Sequence, residues 1–382
     1  MDFSWTDEQM SLRASVLAFV QKQLGDDLRS RDRASEFSRE LWNRCAEFGL
    51  LGLPIPTEFG GQGADTLTTL LALETLGYGC RDNGLIFSIH AHLWSASTPI
   101  LRFGTDAQRQ RYLPGLCDGS LIGVQGMTEP QTGSDAFAVA TRAVLDGDTY
   151  VLSGNKTLIT NAPVADVFVV FAVTAPAHGA LGISAFLVDR ETPGLSVGRP
   201  FAKMGLRTSP MSELFFDECR VPATQMLGKS GNGMSIFNHS IDWERACILA
   251  SAVGTMQRQV EESVEFAKTR EQFGAPIASF QGVSHRIADM QVRLDAARLL
   301  LYRAGWVRER STRSPMTESA IAKLFISEAW VQTSLDAMYV RGGAGYLEET
   351  EAERDVRDAL ASRFYSGTSD IQRNLIARGL GL

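Results

Sequence analysis

Four long stretches with the apolar spacing of α-helices follow Gly233 and fill the rest of the chain. They cover roughly residues 234–270, 281–311, 316–341 and 351 onward, with few internal prolines. Because short turns connect these stretches, each helix must run antiparallel to the next. The sequence therefore predicts a C-terminal four-helix bundle.

The first part of the chain changes character once. Residues 7 to about 115 predict helices, through segments such as LRASVLAFVQKQL and LTTLLALETLGYG. From about 120 to 225, short β-rich runs are separated by turn signals such as LDGDTY and SGNK. We therefore expect an α+β protein of three domains: helical over 1–118, β over 119–228 and a helical bundle over 229–382.

Composition and charge exclude several classes of protein. The 382 residues are 44% hydrophobic, which is enough for several packed domains. A net charge of -7 argues against nucleic-acid binding, which needs a basic surface. No stretch approaches the roughly 20 apolar residues that span a bilayer, and MDFSWTDEQM does not resemble a secretory signal. We expect a cytoplasmic protein without a membrane partner.

The cysteines and histidines do not form a recognisable metal-binding pattern. His90 and His92 are two residues apart but have no supporting ligands nearby in the sequence. The cysteines have no CxxC pair, which is typical of reduced thiols. They are Cys45, Cys80, Cys117, Cys219 and Cys247. We expect neither a disulfide framework nor a bound metal.

Two short motifs match other functions only weakly. GLSVG at 194–198 fits the GxSxG pattern of serine hydrolases, but the following RPFAKMG is not helical, whereas that nucleophile requires a helix directly after it. GKS at 228–230 lacks the earlier glycine of a phosphate-binding loop, because Ala223 occupies its place. A serine hydrolase is therefore the most distant alternative.

Five segments resemble the acyl-CoA dehydrogenase superfamily in order and approximate spacing. They are MTEPQTGSD, KTLITNAP, TREQFG, RGGAGY and FYSGTSDIQRNLIARGLGL. The resemblance covers nearly the whole chain. It implies an N-terminal helical domain, a middle β-barrel or sandwich domain and a C-terminal four-helix bundle, with FAD bound and a thioester-linked acyl group as substrate.

The resemblance also assigns residues to the flavin. In MTEPQTGSD, Met127 and Thr128 would contact the polar edge of the ring, and Ser134 would lie near the pantetheine of the substrate or the cofactor phosphates. Hydrogen bonds at this edge stabilise the reduced ring. In KTLITN, Thr160 matches a threonine that hydrogen-bonds the ring, whereas Leu158 stands where many members have tryptophan.

TREQFG resembles a motif that binds the cofactor of a neighbouring subunit. Arg270 would contact the pyrophosphate and Phe273 would stack on the adenine, so the resemblance implies an oligomer, a homotetramer. Without the resemblance, Arg270 is also compatible with a charge at a helix end. The remaining expected cofactor contacts are Gln281, Gly342, Gly343 and Thr368.

The base that most family members use is absent. They take a glutamate from a Tyr-Glu-Gly-Thr segment, but residues 365–368 read YSGT here, and the hydroxyl of Ser366 is too weak an acid to act as a base near pH 7. Isovaleryl- and long-chain-type members instead place a glutamate on the first bundle helix, directly before an arginine. Glu244 and Arg245 occupy that place in SIDWERACIL.

The resemblance therefore implies a division of roles. Glu244 is the expected base, Arg245 is expected beside the substrate, and the backbone amide of Ser366 is expected to donate to the thioester oxygen. Trp243 or the flavin would desolvate Glu244 and raise its pKa. The base removes the α proton while hydride leaves the β carbon for the flavin.

A Trp-Glu helix together with SRFYSGTSDIQ and IARGLGL resembles the prolyl-carrier-protein dehydrogenases of this family. The expected substrate is a prolyl group on a phosphopantetheinyl carrier protein, oxidised to a pyrroline or pyrrole thioester in antibiotic biosynthesis. A short- or branched-chain acyl-CoA is the first alternative. A flavin monooxygenase and a non-catalytic partner are alternatives of another class. Electrons would leave to an electron-transfer flavoprotein or to oxygen.

Overall fold

The N-terminal part of the protein is helical, as expected. The computed structural model describes residues 4–25, 27–310 and 315–382. Helix α1 begins at a capping box, in which Thr6 and Gln9 each accept a hydrogen bond from the backbone of the other. The helices are α1 (Asp7–Gln23), α2 (Leu28–Ala34), α3 (Arg39–Glu47), α4 (Thr66–Gly79), α5 (Asn83–His92), α6 (Thr98–Phe103) and α7 (Asp106–Cys117), with one π-helical turn at Leu93–Ser97.

The middle part forms one eight-stranded mixed sheet. Its strands are β1 (Gly123–Gly126), β2 (Arg142–Asp146), β3 (Thr149–Thr160), β4 (Val167–Val173), β5 (Ile183–Asp189), β6 (Leu195–Val197), β7 (Met211–Pro222) and β8 (Met226–Leu227). The strand order is β6-β7-β3-β2-β4-β5-β8, and β1 pairs in parallel with β4. Within the described residues the end strands β6 and β8 do not pair with each other. The sheet is therefore open and not a closed barrel.

The GLSVG segment lies inside this sheet. Its serine, Ser196, is the middle residue of β6 and pairs with Phe215 of β7. No helix follows, since residues 198–203 are irregular. The segment therefore lacks the following helix that a hydrolase nucleophile requires.

The C-terminal part is a bundle whose helices are more numerous than the sequence pattern predicted. They are α8 (Gly233–Cys247), α9 (Ala250–Thr269), α10 (Gln281–Arg310), α11 (Met316–Val340), α12 (Ala352–Ala361) and α13 (Ser369–Gly379). The stretch 234–270 is interrupted at Ile248 and Leu249, and the predicted end of α10 at residue 311 lies outside the described residues. The last stretch divides because Ser366 and Gly367 both have positive φ, which no helix tolerates.

Two glycines fix the N-terminal part against the bundle. A Cβ at Gly77 of α4 would lie 2.0 Å from the Ser251 carbonyl oxygen, and one at Gly254 of α9 would lie 1.9 Å from the Glu74 carbonyl oxygen. The backbones of α4 and α9 therefore touch where they cross. Thr255 adds a 3.2 Å hydrogen bond to the Gly77 carbonyl. This contact holds α9, and with it the bundle, in a fixed position relative to α4.

His90 and His92 are buried structural residues. The ring of His90 lies between the Trp94 indole, which donates to Nδ1, and the Ser251 hydroxyl. Nε2 of His92 lies 2.9 Å from the Leu116 carbonyl oxygen. Among the described residues, no group of three or more His, Cys, Asp or Glu side chains is placed to hold a metal ion. In the same ranges no helix is long and apolar enough to cross a membrane.

These two histidines predict a loss of stability in acid. Burial lowers the pKa of His90 to about 3 and that of His92 to about 4. Stability from such neutral imidazoles is present above the unfolded pKa of about 6.5 and is lost as the pH falls toward the folded values. Between pH 6 and pH 4, urea unfolding should show a loss of about 1.4 kcal/mol per pH unit for each imidazole.

A substitution pair tests the cause of this loss. His90→Gln should reduce the slope of unfolding free energy against pH, whereas His178→Gln, at an exposed position, should leave it unchanged. Equal slopes in both variants would show that the buried imidazoles do not cause the acid sensitivity.

Candidate active site

A cavity of about 570 Å³ lies between the sheet, α8 and the turn that joins α12 to α13. Eight of the site residues expected from the resemblance line it. From the sheet region come Met127, Thr128, Ser134 and Thr160; from α8 come Glu244 and Arg245; from the turn come Ser366 and Thr368. The fold thus brings together segments that are more than 200 residues apart in the chain.

Helix α8 presents one face to the cavity. Phe237, Ile241, Glu244 and Arg245 all line it, at the three- and four-residue spacing that keeps side chains on the same side of a helix. Trp243 does not line the cavity, since it is stacked on Trp94 with ring centroids 5.3 Å apart. The expected desolvation of Glu244 by Trp243 is therefore not supported by its packing.

Glu244 accepts a hydrogen bond from the side chain of Ser366. The Ser366 hydroxyl lies 2.8 Å from Glu244 Oε2. Burial raises the pKa of Glu244, and the Ser366 hydrogen bond and the Arg245 charge oppose that rise. A carboxylate with a raised pKa in a cavity has the property that a general base needs. The sequence predicted only the backbone role of Ser366 and missed this side-chain contact.

The backbone amide of Ser366 is free to bind a ligand. Within the described ranges it has no hydrogen-bond acceptor, and Ser366 lines the cavity. Arg245 stands behind the same turn, where its Nε lies 3.4 Å from the Ser366 carbonyl oxygen. Its guanidinium also lies 3.6 Å from Asp242 Oδ1. Arg245 is therefore placed to orient the turn as well as to line the cavity.

A buried ion pair supports the loop that carries Met127 and Thr128. Lys156 Nζ donates to Glu129 Oε1 at 2.7 Å and to the Met127 carbonyl at 3.2 Å, and both charged side chains are almost fully buried. Glu129 also accepts the amides of Ala140 and Thr141. The pair ties the loop to β3 and to the chain that enters β2. Sequence reasoning missed it, although both residues lie in the quoted motifs.

Another wall of the same cavity, formed by the segment around Leu206, was not predicted from the sequence. Leu206 lines the cavity with a positive φ of 49°, an unfavourable conformation for a branched side chain. Its amide donates to Asp358 at 2.6 Å, and its carbonyl accepts from Lys203 Nζ at 2.7 Å. Burial raises the pKa of Asp358 to about 7. No motif in the sequence marks this segment, because its conformation depends on the contact with α12.

The other five expected cofactor residues do not reach this cavity. Arg270, Phe273, Gln281, Gly342 and Gly343 are exposed at one end of the bundle. Two-residue strands, β9 (Glu271–Gln272) and β10 (Ala275–Pro276), form a hairpin whose turn residues both have positive φ. The hairpin leaves the Phe273 ring 95% exposed. Among the described residues its one ring contact is edge-on with Phe280, at a centroid distance of 5.9 Å.

The fold and the site together correspond to a known family of enzymes. A helical bundle and a sheet that enclose a carboxylate of raised pKa are typical of enzymes that remove a proton from a bound substrate. The chain matches the N-terminal, middle and C-terminal domains of acyl-CoA dehydrogenases over residues 6–120, 125–219 and 231–381. It belongs to the acyl-CoA dehydrogenase family.

The similar proteins include members that act on carrier-bound proline. An L-prolyl peptidyl-carrier protein dehydrogenase of Pseudomonas fluorescens is 43% identical over the full length of both chains. The prolyl acyl carrier protein oxidase AnaB has a TM-score of 0.97 and 47% identity, covering 99% of this chain and 100% of its own. PigA with FAD and proline has a TM-score of 0.97 and 41% identity, with full coverage of both chains. The resemblance to this subgroup is confirmed.

Proposed function

We propose that this protein is an FAD-dependent dehydrogenase that oxidises a prolyl group tethered to a phosphopantetheinyl carrier protein. The observation that carries the proposal is the Glu244 carboxylate, held by Ser366 in the cavity wall. The full-length similarity to prolyl-carrier-protein enzymes supports the choice of substrate. A pyrroline or pyrrole thioester for antibiotic biosynthesis is the expected product.

The lining of the cavity supports a flavin ring as its occupant. Leu158 lines it with an apolar side chain that is 57% exposed and a φ of 57°, so a planar ring would cover surface that the protein itself leaves open. Gln125 also lines it, and its buried Oε1 has no hydrogen-bond partner among the described residues. We assign Met127, Thr128, Thr160 and Thr368 to the cofactor and Ser134 to the cofactor phosphates or the pantetheine. FAD would supply the hydride acceptor.

The residues of the chain then divide the remaining work. Glu244 takes the α proton of the thioester onto a carboxylate oxygen. The Ser366 amide donates to the thioester oxygen and stabilises the negative charge that develops there. The Ser366 hydroxyl holds the carboxylate in one orientation, which lowers the entropic cost of reaching the reactive geometry. Arg245 lies beside the substrate and keeps the turn in place.

We further propose that the exposed residues complete the site of a second copy of the chain. Arg270 would bind the pyrophosphate and Phe273 the adenine of a neighbouring FAD, with Gln281, Gly342 and Gly343 beside them. The exposure of the Phe273 ring on a tight hairpin supports this role. A homotetramer, and an electron-transfer flavoprotein or oxygen as acceptor, belong to the same proposal.

The proposal also includes the domain limits and the cellular location. We propose domain limits at 1–118, 119–228 and 229–382, supported by the end of α7 at Cys117 and the start of α8 at Gly233. A cytoplasmic location is supported by the five cysteines, which are all free.

A substrate panel tests the function. The FAD-loaded protein is mixed anaerobically with prolyl-carrier thioester, alanyl-carrier thioester and butyryl-CoA, while flavin bleaching and the mass of the thioester are recorded. We expect bleaching and loss of two hydrogens only with the prolyl carrier. Because one FAD accepts two electrons, loss of four hydrogens, as in a pyrrole, should appear only after oxygen is admitted to reoxidise the flavin. Oxidation of butyryl-CoA alone would replace the proposal with the acyl-CoA alternative. A protein that binds no FAD would contradict both.

A further inference from the structure

The turn that carries Ser366 is held in an unfavourable backbone conformation. Ser366 has a φ of 55° and Gly367 a φ of 87°. Glycine adopts this region freely, but a serine there costs about 1 kcal/mol and persists only where its surroundings fix it. Bonds from outside the turn must therefore hold it.

Those bonds converge on two carbonyl groups. Gln372 Nε2 donates to the Ser366 carbonyl at 3.1 Å and to the Gly367 carbonyl at 2.9 Å. Lys323 Nζ, on α11, donates to the Gly367 carbonyl at 2.7 Å. With Arg245 Nε at 3.4 Å from the Ser366 carbonyl, three side chains hold the side of the turn that carries its carbonyl oxygens.

Burying the Lys323 ammonium beside this turn has a desolvation cost. Its side chain is completely buried, and within the described residues no carboxylate oxygen lies within 4.0 Å of its ammonium. Burial, with the charges of Arg245 and Arg363, lowers the pKa of Lys323 to about 7, whereas Glu328 opposes this effect. The Tyr365 ring centroid lies 5.9 Å from Nζ. A methionine would fill this space without the desolvation cost, so the donor itself must be needed.

We propose that Lys323 is a positioning residue for the base. Its bond to the Gly367 carbonyl fixes the turn so that the Ser366 hydroxyl reaches Glu244 and the Ser366 amide faces the cavity. This inference rests on the proposed function, in which Glu244 is the base. Lys323 acts through Ser366 and does not touch the carboxylate.

A double-variant cycle tests the inference. Because the Ser366 hydrogen bond lowers the pKa of Glu244 against the effect of burial, loss of this bond must raise it. Infrared pH titration of the FAD-loaded protein follows the carboxyl band that Glu244→Gln removes. We expect Lys323→Met and Ser366→Ala each to shift this titration upward, and the double variant to titrate as Ser366→Ala does.

Flavin reduction gives a second readout. A misplaced turn should slow reduction by prolyl-carrier thioester about a hundredfold in Lys323→Met, because a displacement of about 1 Å has costs of that size. Lys22→Met removes an exposed lysine on α1 and should change neither readout. If Lys323→Met loses FAD or fails to fold, Gln372→Leu acts on the same carbonyls and should give the same upward shift.

Two results of the infrared titration would contradict the inference. An unchanged Glu244 titration in folded Lys323→Met would show that the lysine does not act on the base, as would shifts that add in the double variant. Where Gln372→Leu replaces it, an unchanged titration has the same meaning. Because the infrared titration needs no substrate, failure of the prolyl substrate would contradict the proposed function and leave this test intact.

Discussion

Glu244→Gln should abolish reduction of the flavin by substrate while FAD stays bound. Glutamine has the size of glutamate and keeps an oxygen that accepts from the Ser366 hydroxyl, so the cavity wall should be preserved. It cannot take a proton at neutral pH, and loss of a positioned base costs about 100- to 10,000-fold in rate. Anaerobic stopped-flow bleaching of the flavin by prolyl-carrier thioester measures this loss.

The matched control lies on the neighbouring helix. Glu265→Gln removes an exposed carboxylate of α9 and should bleach at the unaltered rate. Bleaching of Glu244→Gln at a rate close to that of the unaltered protein would mean that another group removes the proton. The FAD content of both variants, read from the protein spectrum, separates loss of the base from loss of cofactor.

Lys156→Met should destabilise the protein more than a surface substitution does. It leaves Glu129 buried without its cation, although the amides of Ala140 and Thr141 still donate to the carboxylate. Removing one partner of a buried ion pair costs about 3–5 kcal/mol. Urea unfolding should show this loss, and FAD should bind more weakly because the Met127 carbonyl loses its donor.

The double variant Lys156→Met with Glu129→Gln distinguishes the cause. If the unpaired charge causes the loss, neutralising Glu129 should recover much of the unfolding free energy. A double variant as unstable as Lys156→Met, or a single variant as stable as the unaltered protein, would contradict the structural role of the pair. Weak FAD binding that persists in the double variant would assign the cofactor effect to the lost Met127 contact.

The local spacing of residue types predicted the helices and strands, but it failed where tertiary packing determines the conformation. The spacing of apolar residues predicted α10 and α11 to within a few residues, because a helix face that must be buried leaves a period in the sequence. The break at Ile248 and Leu249 was missed, and the choice between a barrel and a sandwich was left open. Neither has a local signal, since no proline or glycine marks the first, and closure depends on strands far apart in the chain.

The candidate site shows the same division. Motif resemblance identified eight of the residues that line the cavity, and it placed Arg270 and Phe273 in a separate group. It did not reveal Lys156, Lys323 or Leu206. The positions of these side chains follow from long-range contacts, and buried lysines look like surface lysines in a sequence.

Glu244 and Ser366 show which properties of the site follow from the sequence and which follow from the tertiary structure. The sequence by itself determined that a glutamate precedes an arginine on a bundle helix and that serine replaces the family's usual glutamate, because residue types and their order are local facts. Only the tertiary structure decided that the hydroxyl of that serine binds the carboxylate at 2.8 Å. The two residues are 122 positions apart, so the packing of α8 against the turn before α13 sets this distance.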